Sequence, residues 1–595
     1  PILLPITLVL CGVGFVHLWG AGEKVPPAFL LRHGAGLLLG AALLVGIASL
    51  KPRQREAVLE YHYLWALLAL LLGVLLLLFG KGPGGTRLQL FGFLPVEVMK
   101  PLLLLFTVGY ATRRLGTVGA TSSRWWHVRW QETLPLLVMF ALMLLVFVLA
   151  RDFGPALTLY LTLLVLLYLV LGKGMLLALG VLLMLMGVAL AEALGVGVLP
   201  SRVAMWLSPW QVTEERARHL AQCLWAFGTG GLFGSGIGLG KPHSVPYARS
   251  DSVLSAWGEQ MGLVGTLCLL CLYALWLGRA FRIAQRATAF ADRLLAAGIA
   301  VLQGTQIVLI SAGVTGLLPM TGMSLSFLAQ GNSTLLASLA MTGLLYNISA
   351  FPPPDSASAG RSRYSARLRI LAWGFLFLVL GVLGGRCFWI QGIYADQIAT
   401  RTVLVRLPES EAHEVANPRL GDLARRIPRG RILDSAGNAL AETRAGRRIY
   451  PCGEACAQLV GWLDTRFGGP TGAEARYHRQ LRGYESPVDL LRLYRRKDLP
   501  FFLLPRGEDV RLTISLEGQQ RALRALRQAY PNGNAAFVLI EPQSAQVLVA
   551  VGTPTFDPNQ LTAERWSRLR TRADAPLVFR PVDGLYAPGS VFKVV

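Results

Sequence analysis

The chain has 595 residues and a formal net charge of +23; 53% of its residues are hydrophobic and 15% are charged. Such an apolar composition is typical of membrane proteins rather than soluble domains, and the length predicts several domains. No stretch resembles a nucleic-acid-binding module, and basic loops facing anionic lipid headgroups account for the charge. The composition therefore predicts membrane lipids, and no nucleic acid, as partners.

Ten apolar runs in the first 350 residues are long enough to cross a hydrocarbon core about 30 Å thick. They are centred on residues 1–20, 29–50, 61–80, 97–112, 132–150, 155–172, 174–196, 253–278, 295–312 and 328–348. An eleventh run, 370–392, follows the helix breaker Phe351-Pro-Pro-Pro354. The predicted fold class is an α-helical polytopic membrane protein, with a ten-helix bundle and one anchor helix.

The positions of Lys and Arg predict the orientation, because cytoplasmic loops are enriched in both. With the N-terminus inside, the short outer loops carry five of them, Lys24, Arg32, Lys81, Arg87 and Arg151. The inner loops carry sixteen: Lys51, Arg53, Arg55, Arg113, Arg114, Arg124, Arg129, Lys173, Arg279, Arg282, Arg286, Arg293, Arg361, Arg363, Arg367 and Arg369. The long 197–250 loop and all residues after 392 are therefore expected outside, facing the periplasm if the membrane is a bacterial inner membrane.

From about residue 395 the chain becomes polar and has the patterns of a mixed α and β region. Alternating residues in 509–515 and 535–540 predict strands, and apolar residues at helical spacing predict a helix over 518–530. Cys452 and Cys456 lie close together in this region. In an oxidising compartment they form either a short disulfide loop or two unpaired thiols, and the sequence leaves both open.

Ser590 and Lys593 are separated by one helical turn near the end of the chain. This spacing can place a lysine amine beside a serine hydroxyl and activate the hydroxyl as an acyl-accepting nucleophile. The surrounding Gly584-Leu-Tyr-Ala-Pro-Gly-Ser-Val-Phe-Lys593 resembles the nucleophile segment of penicillin-binding transpeptidases.

Three earlier stretches extend this resemblance to class B penicillin-binding proteins: Pro428-Arg-Gly-Arg-Ile-Leu-Asp434, Gly472-Ala-Glu-Ala-Arg-Tyr477 and Thr555-Phe-Asp-Pro-Asn559. The resemblance implies an anchor, a pedestal and the start of an α/β transpeptidase domain. It also implies an acyl-enzyme at Ser590, with Lys593 as the base. Transpeptidases of this family need a later Ser-x-Asn and a Lys-Thr-Gly. We therefore expect the natural protein to continue past residue 595, and this chain not to crosslink peptides.

Five stretches within residues 90–350 occur in the order found in a second family. They are Leu94-Pro-Val-Glu-Val-Met-Lys100, Arg151-Asp-Phe-Gly154, Ala226 to Gly238, Arg249 to Gly265 and Leu318 to Ser333. They resemble the SEDS proteins typified by RodA and FtsW, which polymerise lipid II into glycan strands. The whole chain thus resembles a natural fusion of a SEDS glycosyltransferase with a class B penicillin-binding protein.

This double resemblance predicts the domain organisation. Residues 1–350 are expected to form the glycosyltransferase, and 351–369 a cytoplasmic linker. Residues 370–392 are the anchor, 393–508 the pedestal, and 509–595 the first part of the transpeptidase domain. The resemblance implies peptidoglycan synthesis from lipid II and undecaprenyl-pyrophosphate-linked glycan, with other elongation or division proteins as further partners. The alternatives are a lipid II flippase and a non-catalytic scaffold.

Glu97 and Lys100 are one helical turn apart in an apolar span, where charged side chains are costly and tend to line functional cavities. They can neutralise each other, so the alternative is a purely structural ion pair. Asp251 ends the long loop, where a lipid-linked sugar would present its headgroup. A carboxylate there can act as a base on the acceptor hydroxyl, directly or through a divalent cation such as Mg²⁺ or Mn²⁺. The alternative for Asp251 is a helix cap.

The resemblance and the charges together give the predicted site. Asp251 is the predicted catalytic residue of glycosyl transfer and the possible metal ligand. The predicted substrate-binding residues are Glu97, Lys100, Asp152, Arg202, Gln222, Lys241, Arg249, Glu259 and Ser333.

Overall fold

The computed structural model describes residues 2–20, 27–82, 87, 89–90, 92–115, 130–193, 199–212, 218–350, 361–405, 413–495, 505–531, 533–587, 590 and 593. The chain divides into two compact units, Pro1–Asn417 and Pro418–Val595. The domain boundaries predicted within these units stay predictions. Residues 351–360, where the linker is predicted to begin, lie outside the described residues.

The first unit is a bundle of helices, numbered here in chain order. Helices α1 to α8 are Leu3–Gly20, Pro27–Ala48, Pro52–Glu60, His62–Phe79, Pro95–Tyr110, Trp130–Leu149, Phe153–Leu171 and Gly174–Ala193. Helices α9 to α13 are Leu199–Leu207, His219–Gly230, Val253–Arg286, Phe290–Val314 and Asn332–Ala350. Helix α14, Arg361–Leu376, continues through π-helical turns and α15, Gly384–Phe388, to Ile393, and α16 is Ala395–Thr400.

Each predicted span coincides with a helix. Among the described residues, eight helices are long and apolar enough to cross a membrane, and Thr133–Leu149 and Gly174–Leu190 are shorter apolar helices. The fourth predicted span is α5, which has 16 residues and is extended by the π-helical turn Ala111–Leu115. The predicted fold class, a polytopic helical membrane protein with an anchor helix, is therefore confirmed.

Burial separates the central helix from the peripheral ones. In α12, 94% of the most apolar stretch is buried, whereas the corresponding values for α2 and α4 are 22% and 28%. Because lipid tails solvate apolar side chains, the exposed apolar faces of α2 and α4 are the surfaces expected to face the bilayer. Helix α12 is consequently placed to carry groups that are shielded from lipid.

A buried polar network joins three helices at the N-terminal end of α12. The guanidinium of Arg55 contacts the carboxylate of Asp292 at 2.7 Å and donates to the side-chain oxygen of Asn347 at 2.7 Å. The amide of Asn347 donates in turn to the carbonyls of Ala48 and Leu50. The side chains of Arg55 and Asp292 are 4% and 6% exposed, so this ion pair is almost fully withdrawn from solvent.

The predicted loop 197–250 is more ordered than expected, because it contains α9, the short strand β1 (Gln211–Val212) and α10. The predicted loop contains a glycine-rich run, residues 228–240. The first part of this run, Gly228 to Gly230, lies in α10 and is buried, so it is not loop. The later part pairs with α11, which is kinked at Gly262 (φ 65°, ψ −166°). The amide of Ser235 donates to the carbonyl of Glu259, and that of Leu263 donates to the carbonyl of Gly231.

The helix from Arg361 to Ile393 packs against the bundle. The side-chain amide of Gln391 donates to the carbonyl of Gly258 in α11 at 3.0 Å. The guanidinium of Arg386 donates to the carbonyl of Thr315, just after α12, at 3.0 Å. Strand β2 (Val403–Val405) then pairs in parallel with β1 and in antiparallel with β3, His413–Val415. Strand β2, which follows the bundle, is thus hydrogen-bonded to β1 in the 197–250 segment that precedes Asp251.

The second unit has α and β elements around a separate core. Strands β4 to β7 are Ile432–Leu433, Ala439–Arg444, Arg447–Ile449 and Val510–Arg511, in the order β6-β5-β4-β7. Strands β8 (Ala535–Ile540) and β9 (Val547–Thr553) form an antiparallel pair. Helices α17 to α24 are Pro418–Arg426, Ala457–Val460, Gly472–Arg476, His478–Arg482, Pro487–Arg495, Leu516–Ala529, Ala563–Thr571 and Arg580–Asp583.

The sequence predictions for this unit are confirmed in part. The 535–540 strand is β8, and the 518–530 helix is α22, whereas only Val510–Arg511 of the predicted 509–515 strand pairs with a neighbour among the described residues. The apolar side chains of β8 from Phe537 to Ile540 are 41–52% exposed. Cys452 and Cys456 are buried free thiols.

Candidate active site

Asp251 lies in a tight turn that leads into α11. The N-cap position of α11 is occupied by Ser252, and its side chain makes no capping bond. The alternative that Asp251 caps the helix is therefore wrong. The carboxylate instead faces a small cavity, lined by Asp251, Ile310, Gly313, Val314, Met320, Thr321, Gly322 and Met323. These residues come from the Asp251 turn, the last turns of α12 and the segment that follows it.

Arg202 of α9 reaches the same place. Its Nη1 donates to the carbonyl of Thr321 at 3.1 Å, which fixes the guanidinium beside the cavity. Gly322 has a φ of 72°, and a Cβ atom added there would lie 3.2 Å from Nη2 of Arg202 and 3.8 Å from Oδ2 of Asp251. The open position above Gly322 is thus flanked by a guanidinium and a carboxylate, and a small polar ligand group placed there would meet both.

Gly322→Ala is expected to reduce the activity of this site by at least about tenfold, because the new methyl occupies the position between guanidinium and carboxylate. The positive φ adds strain of about 1–3 kcal/mol. Gly316→Ala is the matched control, since Gly316 has a φ of 71° but its Cβ would meet its nearest atom, Nη2 of Arg386, only at 3.7 Å. Turnover and melting temperature of both variants check the prediction; equal losses of turnover would contradict it.

Asp152 completes a group of interacting charges. It lies in the turn between α6 and α7, and burial raises the pKa of its carboxyl to about 6, against the lowering effect of Arg202 and Lys100. Glu97 and Asp251 are close enough to raise this pKa further. We call Glu97, Lys100, Asp152, Arg202 and Asp251 the charged cluster.

Burial also changes the proton affinities of Asp251 and Arg202 in the charged cluster. It raises the pKa of Asp251, while the Ser250 hydroxyl and the charge of Arg202 act in the opposite direction. Burial lowers the pKa of Arg202, and Asp152 and Asp251 oppose this change. Each charge is thus costly in this place and is supported by a neighbour of opposite sign.

Lys100 is the innermost residue of the charged cluster, with 1% of its surface exposed. Its Nζ donates to Oε1 of Glu97 at 2.8 Å and to Oε1 of Gln306 in α12 at 3.0 Å. The amide of Gln306 donates onward to the carbonyl of Ser324. The predicted pairing of Glu97 with Lys100 is confirmed, and the pair is tied to the central helix and to the segment that carries Gly322.

Three other predicted site residues make hydrogen bonds within the first unit. The hydroxyl of Ser333 accepts from the backbone amide of Leu94, directly before α5. The buried carboxylate of Glu259 accepts from the backbone amide of Lys241 at 2.8 Å and so holds the end of the glycine-rich run. Substrate binding by Ser333, Glu259 and Lys241 stays a prediction.

The side chains of Gln222 and Arg249 differ in their contacts with other residues. The side-chain oxygen of Gln222 in α10 is buried, and no hydrogen-bond partner for it occurs in the part of the chain that the structure describes. Buried acceptors of this kind are rare, and a ligand would supply the missing donor. The guanidinium of Arg249 lies over the ring of Phe29, 5.4 Å from its centroid.

The sequence did not single out Gln306, Thr321 or Gly322, although they complete the surroundings of the charged cluster. Two signals were present. Gln303 and Gln306 are one turn apart in an apolar span, and Gly322 belongs to the stretch from Leu318 that resembles a family motif. Neither signal shows which face or which atom meets Asp251, because that depends on packing between distant segments.

The second predicted site lies in the second unit. Ser590 and Lys593 are both exposed, and the two residues between them lie outside the described residues. The predicted contact between hydroxyl and amine therefore stays a prediction.

The fold and the charged cluster are those of a multi-pass membrane protein with a polar site that is shielded from lipid. A multi-pass helical membrane protein carries buried charges of both signs at one end of its central helix, with a carboxylate, a guanidinium and a small cavity in one place. Such an arrangement can accept a proton on the carboxylate and stabilise an anionic group at the guanidinium.

Comparison with known families gives the particular assignment. Residues 4–352 match the family model of the FtsW, RodA and SpoVE cell cycle proteins, and the chain belongs to this family. Residues 535–595 match the penicillin-binding protein transpeptidase domain, which confirms the predicted fusion.

Proteins of known name are similar to the membrane half of the chain. The chain is 31% identical over 366 residues to a peptidoglycan glycosyltransferase RodA of Mycobacterium bovis, covering 59% of this chain and 77% of the relative. It is 32% identical over 372 residues to a probable peptidoglycan glycosyltransferase FtsW of Geobacter, covering 58% and 96%. Thermus thermophilus RodA has 26% identity, a TM-score of 0.43 and coverage of 59% and 97%. A chain from a peptidoglycan synthase complex has 26% identity, a TM-score of 0.49 and coverage of 58% and 96%.

Proposed function

We propose that the chain is a peptidoglycan glycosyltransferase whose membrane half polymerises lipid II into glycan strands. The observation that carries the proposal is the charged cluster with Asp251 and Arg202 on one cavity, in a chain of the FtsW and RodA family. The relatives named above are peptidoglycan glycosyltransferases, and two of the five family stretches, Arg249 to Gly265 and Leu318 to Ser333, supply residues that line this cavity.

The residues have distinct roles in the proposed reaction. The carboxylate of Asp251 takes the proton of the 4-hydroxyl on the incoming lipid II. That oxygen forms a bond to the anomeric carbon of the growing glycan, and the bond to undecaprenyl pyrophosphate breaks, with the electron pair leaving on the phosphate. Arg202 stabilises the leaving anion, and Lys100, held by Glu97 and Gln306, keeps a positive charge beneath the site. Asp152 holds Arg202 in place electrostatically.

Binding of a divalent cation at Asp251 is proposed only together with the substrate. Among the described residues, no group of three His, Cys, Asp or Glu side chains could hold a metal ion. Mg²⁺ is nevertheless commonly held by one or two carboxylates together with substrate phosphates. Asp251 fits such a site if the pyrophosphate supplies the other oxygens, and the cation would then offset the charge of the leaving group.

The proposed location is the bacterial inner membrane, with the N-terminus in the cytoplasm and the charged cluster at the periplasmic end of α12. The excess of Lys and Arg in the alternate loops supports this orientation. The second unit then faces the compartment in which glycan is made. Other proteins of the elongation or division machinery are proposed partners.

The proposed second activity is peptide crosslinking through an acyl-enzyme at Ser590, with Lys593 as the base. The transpeptidase match of residues 535–595 supports it. Labelling of the natural protein by a fluorescent penicillin, lost in Ser590→Ala, tests it. Both activities in one chain would bring nascent glycan directly to the crosslinking module.

The purified chain incubated with lipid II tests the main proposal. Glycan ladders on a gel are expected, in detergent as well as in vesicles, because bond formation needs no second compartment. A flippase would instead move labelled lipid II across vesicle membranes and form no polymer, and that result would overturn the proposal.

Arg202→Gln is expected to move the acidic limb of the pH–rate profile to higher pH. The base must be ionised to act, and the charge of Arg202 lowers the pKa values of Asp152 and Asp251. Removing that charge raises both, so protonation inactivates the enzyme at a higher pH than in the parent chain. An acidic limb that stays in place or moves to lower pH would contradict this role of Arg202.

A further inference from the structure

The turn that carries Asp251, residues 247–252, is held in an unusual backbone conformation. Tyr247 has a φ of 54°, which non-glycine residues rarely adopt. Its carbonyl accepts from the amides of both Ser250 and Ser252, at 3.0 and 3.1 Å. A strained turn of this kind persists only where its surroundings hold it. The neighbours that do so should therefore control where the Asp251 carboxylate points.

His219, the first residue of α10, holds the turn at its C-terminal end. Its Nε2 lies 2.7 Å from Oγ of Ser252, the residue after Asp251. Its ring also packs on the ring of Tyr247, with centroids 5.7 Å apart. One side chain thus contacts both the strained residue and the residue next to the carboxylate.

His17 in α1 holds the turn from a different helix. Its Nε2 hydrogen-bonds to the carbonyl of Ala248 at 3.2 Å, and its ring is fully buried against Trp257 of α11. The carbonyl of Arg249 accepts a further bond from the amide of Gln330. The turn is therefore fixed from α10, α1 and the segment before α13.

The His219–Ser252 pair is not arranged to be a nucleophile and its base. Ser252 has no exposed surface, so its hydroxyl cannot reach a substrate. Burial and the charge of Arg202 lower the pKa of His219 to about 4, although the ring also donates to the carbonyl of Pro246. A neutral imidazole has one N–H, so the nitrogen facing Ser252 accepts from the hydroxyl. The ring links Pro246 to Ser252 across the turn.

We propose that His219, through Ser252 and Tyr247, is a positioning residue that sets the Asp251 carboxylate for proton transfer, with His17 as a second support. The inference rests on the proposed function. His219 and His17 lie outside the five family stretches. The inference gives them a role in placing the Asp251 carboxylate rather than in binding the sugar.

The main test is a kinetic comparison of His219→Ala, Ser252→Ala and the double variant in the lipid II polymerisation assay. Each single change is expected to lower kcat by up to about 100-fold with little change in KM, because misplacement of a base costs rate and leaves ground-state binding intact. The double variant should lose no more than either single one, since both act through one hydrogen bond. His219→Gln, which can still donate and accept, should recover most of the rate.

His243→Ala is the matched control. His243 is an exposed histidine in the same loop, in the short turn Pro242–Ser244, and its loss should leave kcat unchanged. Additive losses in the double variant, a rise in KM alone, or no recovery with His219→Gln would overturn the positioning role.

A second measurement does not depend on polymerisation. In a background with the exposed Cys268 and Cys271 changed to Ser, Asp251→Cys is labelled by a water-soluble thiol reagent. Adding His219→Ala is expected to change the labelling rate several-fold, whereas adding His243→Ala is not. Unchanged labelling would overturn the proposal. If the parent chain makes no polymer but labelling shifts, the proposed function fails, while the role of His219 in placing the side chain at position 251 stands.

Discussion

Asp251→Asn is expected to reduce lipid II polymerisation by about 10²- to 10⁴-fold, the usual contribution of a positioned general base. The amide has the same shape as the carboxylate but cannot take the proton of the acceptor hydroxyl. Because burial raises the pKa of Asp251, ionising this carboxyl costs the folded state some stability. The neutral Asn should therefore leave the melting temperature unchanged or slightly higher.

The comparison needs activity and folding from one preparation. Polymer length and initial rate are measured beside thermal melting of the parent and variant proteins. If Asp251→Asn made polymer of near-parental length at a near-parental rate, Asp251 would not be the catalytic base. Capping of α11 would not be the alternative role, because Ser252 occupies the N-cap position. A lower melting temperature together with a lower polymerisation rate would indicate a structural role for Asp251 instead.

Glu97→Ala is expected to have the second large effect, on stability as well as on rate. It leaves the ammonium of Lys100, which is 1% exposed, with the neutral Gln306 as its remaining described partner. Breaking a buried ion pair from one side typically costs about 3–5 kcal/mol. Activity should fall too, because the positive charge beneath the cavity is then misplaced or neutralised. Lys100→Ala should lose activity for the same reason.

A double replacement separates charge from packing. Glu97→Gln with Lys100→Met keeps the volume and removes both charges, so stability should largely return while polymerisation stays low. Restored activity would show that the pair is structural. The Arg55–Asp292 pair is the matched control, since it is equally buried but lies at the other end of α12. Asp292→Ala should destabilise the protein while the folded fraction stays active.

The helices could be predicted because each depends on its own residues. An apolar run long enough for the bilayer is visible without knowledge of its neighbours, so the ten predicted spans give α1, α2, α4 to α8 and α11 to α13 in order. The shorter helices α3, α9 and α10 leave no such run and were not predicted. The Glu97–Lys100 contact was equally local, since one helical turn fixes it. Two local details were missed. Gly228 to Gly230 belong to helix α10. Helix α11 continues to Arg286, beyond the predicted span 253–278, and its last turns were missed because they are polar.

The surroundings of Asp251 could not be predicted in this way. They combine a turn before α11, a residue of α9 and the segment after α12, and only packing brings these together. Gly322 illustrates the difficulty, because its role depends on two side chains that come from residues 202 and 251. The contact of His219 with Ser252 is similar, since 33 residues separate them in the chain.

The Arg361–Ile393 helix packs on the bundle as part of the same chain, and this affects how firmly it must bind there. Residues 351–360 join this helix covalently to α13, so its docking on α11 and α12 is an intramolecular event. A short tether holds two surfaces at an effective concentration in the millimolar range, far above that of separate membrane proteins. Docking of this helix therefore needs less contact free energy than the association of two separate chains would, so residues such as Gln391 and Arg386 can change in evolution while the helix stays on the bundle.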